Sequence, residues 1–396
     1  MTYVFKNVCL IDCTGAQPVE NAVVVVKDNK IVRVGKDIPA PEDAAVFDLA
    51  GCSLLPGLID SHVHAGADTI ANFRRADDSG DYACMRERLR KTGITAVRTC
   101  GDCRDDILAL REKIKSRSAE GPRIYTCGGS FQAKNGHPNS TVWHSDPRIV
   151  TTAAFCPESE NEARLMVQEQ IAAGVDYIKI IWSDFNPFSL TEKNPKLSPE
   201  IVAAIIDEAR SNGKPVGVHC ENAADALFCV KAGATAIEHL VLPGREQFDV
   251  YDELFPLMIE KGVYLTLTAT VSLPHSRGMK PSDPGSPVYA AEVFRRAIES
   301  GVKICVGTDA LEHGDALITE MEYYVNTLGC SEMYTLTAAT KTNSELLEMA
   351  DRIGTIEEGK LADILVVGGN PLDNISDLRN VRLVMQDGHI VYDNIV

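Results

Sequence analysis

Nowhere in the 396 residues does a run of apolar side chains approach the ~20 that a membrane-crossing helix needs. Positive charge is also scarce: 39 Lys and Arg stand against 56 Asp and Glu, a net charge of −17. Affinity for nucleic acid rests on Lys and Arg neutralising phosphates, and docking on an anionic membrane rests on the same residues, so both partners are excluded on charge. The opening segment, MTYVFKNVCLIDCTGAQP, lacks a basic start, an apolar stretch and a small-residue cleavage site. It reads as a first strand, and cytoplasmic residence is the expectation. A zinc knuckle needs two CxxC pairs, and only Cys100 and Cys103 have that spacing. In such a chain the 12 cysteines are expected to be free thiols. Low-complexity segments and linkers are absent too.

What the chain does have is apolar mass, 45% of its residues, which excludes intrinsic disorder. Length allows two or three domains, or one large α/β barrel. Both ends are strand-like. NAVVVVKDNKIVRVGK sets two Val- and Ile-rich runs either side of Lys27-Asp28-Asn29-Lys30, and VRLVMQDGHIVYD does the same around Asp387-Gly388. The segments 1–57 and 352–396 are expected to pair into one small β-sandwich domain, with the middle, 58–351, inserted between them.

That middle has a repeating grammar in which a helical stretch ends in Gly and an apolar strand follows. It recurs in TGITAVRTC, AGVDYIKII, NGKPVGVHC, AGATAIEHL, KGVYLTLTA and SGVKICVGTD. Ser159 with Glu162 predicts a capping box, and Ser198-Pro199 opens a helix whose Ile201, Ile205 and Ala209 recur every four residues. With PGLIDSHVH before them and GPRIYTCGG between, the strands number eight. Continuous apolar strands alternating with helices predict a parallel sheet covered on both faces, and eight such units predict a closed (β/α)8 TIM-like barrel.

The mouth of such a barrel lies at the C-terminal ends of its strands. His62 and His64 close the first strand, Lys179 the fourth, His219 the fifth, His239 the sixth and Asp309 the eighth. Residues i and i+2 of a strand share a face, so His62 and His64 can grip one ion together. Imidazole and carboxylate groups suit zinc and similar divalent ions. A Lys ending a buried strand opposite cations would suffer desolvation and repulsion unless its charge were removed. Carbon dioxide adds to a neutral lysine amine and gives an anionic carbamate, whose two oxygens can bridge two metals. The alternative at Lys179 is a side chain reaching out to solvent.

At these residues the sequence resembles the amidohydrolase superfamily over nearly its whole length. The resemblance is carried by Pro56-Gly57-Leu58-Ile59-Asp60 with His62-Val63-His64, Lys179, His219, Glu238-His239 and Gly307-Thr308-Asp309, and by the tail from Ile353-Gly354-Thr355 to Leu361-Ala362-Asp363. Tyr177-Ile178-Lys179 and Ala172-Ala173-Gly174 are similar to the branch of two-metal Xaa-Pro dipeptidases, Xaa-Arg carboxypeptidases and N-acyl amino acid hydrolases, to which imidazolonepropionases are related. The resemblance implies that His62, His64 and Asp309 bind one divalent ion and His219 and His239 a second. Carboxylated Lys179 and a hydroxide, the nucleophile, would bridge the two. Two cations lower the pKa of a shared water from ~15.7 toward ~7. Asp309 would carry the proton to the leaving nitrogen. The expected reaction is hydrolysis of a C–N amide or peptide bond in a small molecule; homo-oligomerisation is left open.

His137, Glu221 and His313 are candidate substrate contacts; His144 and His275 lie on neighbouring loops. Glu221 has two readings. It faces the mouth and selects substrate by charge, with Lys134, Arg74 or Arg75 as offsetting cations, or it turns away to favour the start of the helix NAADALFCVKA. The competing functions are hydrolysis of a cyclic amide of the hydantoinase or dihydroorotase type, an imidazolonepropionase-like reaction, and an assembly protein that has lost its metals. A deaminase needs Glu three residues after the fifth-strand His, where Asn222 stands. Loss of metals is disfavoured because every ligand position is filled.

Overall fold

The computed structural model describes residues 1–65, 67–69, 72–73, 83–141, 151–184, 193–240, 249–272, 286–309 and 315–395. The two terminal hairpins form where their turn residues allow. Val19–Lys27 pairs with Lys30–Gly35, with Asp28 left-handed at φ 55°. Val381–Gln386 pairs with His389–Asp393, with Asp387 and Gly388 at φ 50° and 74°, the two positive values a two-residue hairpin turn of this hand requires. The ends of the chain meet where Cys52–Pro56 pairs with Ile364–Gly368 on one side and with Thr2–Leu10 on the other. Ala45–Asp48 also pairs with Thr2–Leu10, so the two ends make one eight-stranded sheet. Its edge strand Lys30–Gly35 bonds back to the chain entering Ile364–Gly368, from Ile31 N to Lys360 O at 3.0 Å and from Ala362 N to Asn29 O at 3.0 Å. The sheet thereby wraps a core of its own, including Phe5, Val24, Ile31, Leu54, Ile364 and Leu383.

Between these ends lie eight parallel barrel strands: Leu58–Val63, Ile94–Thr99, Arg123–Thr126, Ile178–Ile181, Val216–Cys220, Ala236–His239, Tyr264–Thr266 and Lys303–Cys305. The first three are bonded in sequence, and so are the last five. Asp176 N to Thr126 O, at 2.8 Å, joins the third to the fourth. The ring closes between eighth and first, from Ser61 N to Val306 O at 3.1 Å and from Asp309 N to His62 O at 2.7 Å. Side chains reinforce that seam. The buried Asp60 carboxylate accepts from Thr308 N at 3.0 Å, Thr308 Oγ1 at 2.8 Å and His62 N at 3.2 Å.

The outer helices use the caps expected of them. Ser159 accepts from Glu162 N, although the Glu162 carboxylate reaches back to Glu158 N rather than to Ser159 N. Ser198 accepts from Ile201 N, and Pro199 occupies the first turn of Pro199–Ser211. That helix buries Val202, Ile205 and Ile206 against the barrel, each contributing about 1.5–3 kcal/mol of apolar burial. Gly174 ends Glu160–Ala173 at φ 91° and leads at once into the fourth strand. Among the described residues no helix is long and apolar enough to cross a membrane.

Candidate active site

Four of the six groups predicted as ligands, His62, Lys179, His219 and His239, sit on barrel strands; His64 directly follows the first strand and Asp309 follows the eighth. Asp309 Oδ1 lies 3.1 Å from His64 Nε2 and 3.5 Å from His62 Nε2. The His62 ring is 5.0 Å from that of His239, and the His239 ring 4.3 Å from that of His219. His62, His239 and Asp309 each bring a ligand atom within 4.8 Å of the others. Lys179 is 1% exposed, which removes the solvent-reaching alternative for it. The backbone is held in an unusual state here. His239, Thr268 and Asp309, at the ends of three strands, have φ of 72°, 47° and 52°, a left-handed conformation costly for side chains other than Gly and concentrated in proteins at functional sites.

Each histidine is gripped from behind. His62 Nδ1 is 3.0 Å from Glu238 Oε2, His64 Nδ1 is 2.9 Å from Gly101 O, and His239 Nδ1 is 2.6 Å from Thr268 Oγ1. Glu238 is fully buried, and its other oxygen accepts from Arg98 at 2.7 Å. The Arg98 guanidinium lies 4.1 Å over the Tyr177 ring. Burial pushes the Glu238 carboxyl up, but Arg98, Lys179 and His62 outweigh it and hold the group well below the usual range. Burial would lower His62, yet Cys100 and Asp309 raise it to about 10. Burial would likewise raise Asp309, but His62 and His64 pull it well down, so it is an anion at neutral pH. His219 falls to about 3 through burial and the nearby Lys179 and His62, and His239 falls well below its usual value through burial and its neighbours His219 and His62. Both present neutral rings, the form in which imidazole ligates a metal.

Among the described residues, two buried nitrogens here have no hydrogen-bond partner, Lys179 Nζ and His239 Nε2. Glu238 Oε1, the acid paired with Lys179, is 3.8 Å away. Buried polar atoms without partners are rare, and a lysine amine near Glu238 and a neutral imidazole near Asp309 are groups that a lysine carbamate and a divalent ion would satisfy. The residues therefore fit the implied metal group.

The matching family description is the amidohydrolase family, which spans residues 53–391. The chain belongs to the amidohydrolase family. It is 24% identical to the ochratoxinase of Aspergillus niger, over 93% of this chain and 82% of that protein. It is 26% identical to the imidazolonepropionase of Caldanaerobacter subterraneus, over 93% and 89%. Among solved structures it is similar to a Xaa-Pro dipeptidase with methionine bound in its active site, with a TM-score of 0.81, 27% identity, and 98% and 99% of the two chains covered.

For an amidohydrolase barrel, the other predicted positions fall as follows. His137 stands beside His219, with ring centres 5.3 Å apart, and its Nδ1 is 2.7 Å from Thr141 Oγ1. Burial and His219 lower His137 to about 4. Glu221 is buried, with Oε1 2.6 Å from His219 Nε2, and burial raises its carboxyl to about 7. The helix after it is capped instead by Asn222, which accepts from Asp225 N at 2.8 Å. Lys134 is directed to Glu158 at 3.4 Å on the exterior. His144, His275, His313, Arg74 and Arg75 lie outside the described residues. Cys100 and Cys103 are both buried, and neither is in a disulfide.

Sequence reasoning singled out Glu238 only as part of the Glu238-His239 motif and assigned no supporting role to it or to Arg98, Thr268 and Ser183. Two of these had a signal. Arg98 and Glu238 are charges inside otherwise apolar strands, and a buried charge must be paired. Thr268 and Ser183 are ordinary residues in ordinary contexts, and nothing in the sequence marks them.

Proposed function

We propose that this amidohydrolase cleaves a C–N amide or peptide bond in a small substrate of the dipeptide, carboxypeptidase-substrate or N-acyl amino acid type, using two divalent ions, with zinc the expected metal. Residues 58–351 are the catalytic barrel in this reading, and 1–57 with 352–396 the accessory sheet. The carrying observation is the pair of buried nitrogens on Lys179 and His239 that have no partner among the described residues, beside the neutral His219 ring and the ionised Asp309 carboxylate. Similarity to a Xaa-Pro dipeptidase structure at 27% identity supports the linear substrate class. Similarity to an imidazolonepropionase at 26% keeps a cyclic-amide substrate as the second reading.

His62, His64 and Asp309 would hold one ion, His219 and His239 the other, with Lys179, carboxylated on Nζ, between them. Bound there, the ions supply Lewis acidity, activating water and polarising the scissile carbonyl. The remaining work falls to protein groups. Asp309 is ionised and 22% exposed in its side chain, so it can accept a proton from the attacking water and deliver it to the leaving nitrogen. Glu238 and Gly101 O fix the His62 and His64 rings, and Thr268 fixes that of His239. His137, beside His219, is positioned to meet the substrate. The test is elemental analysis of metal-replete protein, then release of amino groups from a panel of dipeptides, N-acyl amino acids and cyclic amides. Two ions per chain and turnover of linear amides are expected. One ion or none sinks the two-metal proposal, and turnover confined to cyclic amides replaces the substrate class.

A further inference from the structure

His219 is held the opposite way round from the other three histidines. His62, His64 and His239 are each engaged through Nδ1. Their Nε2 atoms face Asp309, in His62 and His64, or stand unpartnered, in His239. His219 is instead engaged through Nε2, by Glu221 Oε1 at 2.6 Å. The Ser183 hydroxyl donates to the same oxygen. Ser183 is 3% exposed and Glu221 7%, so water does not compete for either. One carboxylate oxygen has lone pairs for two donors. With Ser183 and Nε2 converging on it, Oε1 is the acceptor and Nε2 carries the proton. Nδ1 then keeps the lone pair, and only an unprotonated ring nitrogen can ligate a metal.

We infer that Glu221 is a positioning residue: it locks His219 in the tautomer that offers Nδ1, and it is not a selector of substrate charge. The inference rests on the metal-dependent reading above. A selector would present its oxygens to the mouth, whereas Oε1 of Glu221 is committed to Ser183 and His219. Two lysines on nearby segments are engaged elsewhere. Lys196 is bonded to Asp225 and lies 4.1 Å over the Trp182 ring, and Lys134 reaches Glu158. Ser183, at the end of the fourth strand, is the second half of the device, because its hydroxyl keeps the Glu221 carboxylate from turning toward solvent.

The test compares the parent with Glu221→Gln and Glu221→Ala. Glutamine retains an Oε1 that both Ser183 and Nε2 can bond, while alanine removes it. Ion content is followed during dialysis against graded chelator, and the His219 tautomer is read by nitrogen-15 NMR of the metal-free proteins, its signal identified by its loss in His219→Gln. The parent and Glu221→Gln should show the Nε2-protonated ring and similar ion retention. Glu221→Ala should lose that tautomer preference and hold the second ion about 10–100-fold more weakly. An alanine variant with the parent's tautomer and ion affinity overturns the inference. So does a glutamine variant that keeps both ions but reorders its preference among matched neutral, cationic and anionic amides. If the alanine variant does not fold, Glu221→Asp, too short to reach Nε2, takes its place. A parent that holds fewer than two ions defeats the two-metal proposal alone, and the tautomer measurement still decides the role of Glu221.

Discussion

Replacing Lys179 by Met should stabilise the metal-free protein while destroying its activity. Lys179 is 1% exposed, Nζ makes no hydrogen bond, and Glu238 Oε1 lies 3.8 Å away with Arg98 already bonded to it at 2.7 Å. A buried polar atom left unsatisfied costs about 1–3 kcal/mol. Methionine has nearly the same length and no polar head to bury, so that cost disappears with little change in packing. The opposing loss is attraction to Glu238, which keeps Arg98 and His62 as partners and is not left uncompensated. The balance is a gain of about 1–3 kcal/mol, which raises the melting temperature by about 1–4 °C in a chain of 396 residues. Calorimetry in chelator measures it, and a melting temperature lowered by several degrees would refute the reasoning. With metal present the sign reverses, because the variant can form no carbamate and should lose ions and turnover. Short carboxylic acids should partly restore activity to Lys179→Ala, where space for an anion has opened, and not to Lys179→Met, where the side chain fills it.

Three further outcomes are expected. Asp309→Asn should keep most of its metal, measured by elemental analysis, and lose about 10²–10⁴-fold in turnover, since an amide cannot carry a proton; near-parental turnover would remove Asp309 from that role. Glu320 is buried, accepts from the N–H groups of Ala269 and Thr270 at 2.8 Å each, and is raised by burial from 4.5 to about 7. The folded protein therefore keeps a proton that the unfolded chain has lost. Stability should fall by at most about 3 kcal/mol as pH rises from about 4.5 to about 7 and then level off, and Glu320→Gln should flatten that slope in denaturant titrations; an unchanged slope would exclude Glu320 as its source. Glu238→Gln should destabilise the metal-free protein by about 3–5 kcal/mol, because it leaves the buried Arg98 guanidinium unpaired, and a melting temperature equal to the parent's would contradict that pairing.

The barrel was legible because its grammar is local: a Gly that ends a helix, then an apolar strand, repeated until eight strands were counted. The terminal hairpins were legible for the same reason, Asp387-Gly388 being a turn that few other conformations accommodate. The joining of the two ends was inferred from their shared strand character, but the partners were not. That Cys52–Pro56 would sit between Ile364–Gly368 and Thr2–Leu10 depends on packing between residues some three hundred positions apart. At the site, positions that follow from strand periodicity, such as His62 and His64, could be named from sequence. Hydrogen bonds that depend on where a side chain turns could not. The choice between capping a helix and facing His219 could not be made for Glu221, because Asn222, the next residue, competes for the cap and wins it. The Thr268 contact with His239 depends on a left-handed residue whose φ of 47° no sequence pattern announces.

The eight-stranded sheet also sets an order of events during synthesis. Strands Thr2–Leu10 to Cys52–Pro56 leave the ribosome first, but one whole edge of Cys52–Pro56 is completed by Ile364–Gly368, which emerges only after the entire barrel. Throughout that interval Leu54 and Leu55, fully buried in the finished protein, have an open strand edge beside them, the kind of surface that recruits other chains. At about 5–20 residues per second the wait lasts tens of seconds, during which the barrel can form around a half-built sheet. The strands made later are thus the ones that close the earlier ones, and a nascent chain stalled before Ile364 would carry every proposed ligand position beside a sheet still open along Cys52–Pro56.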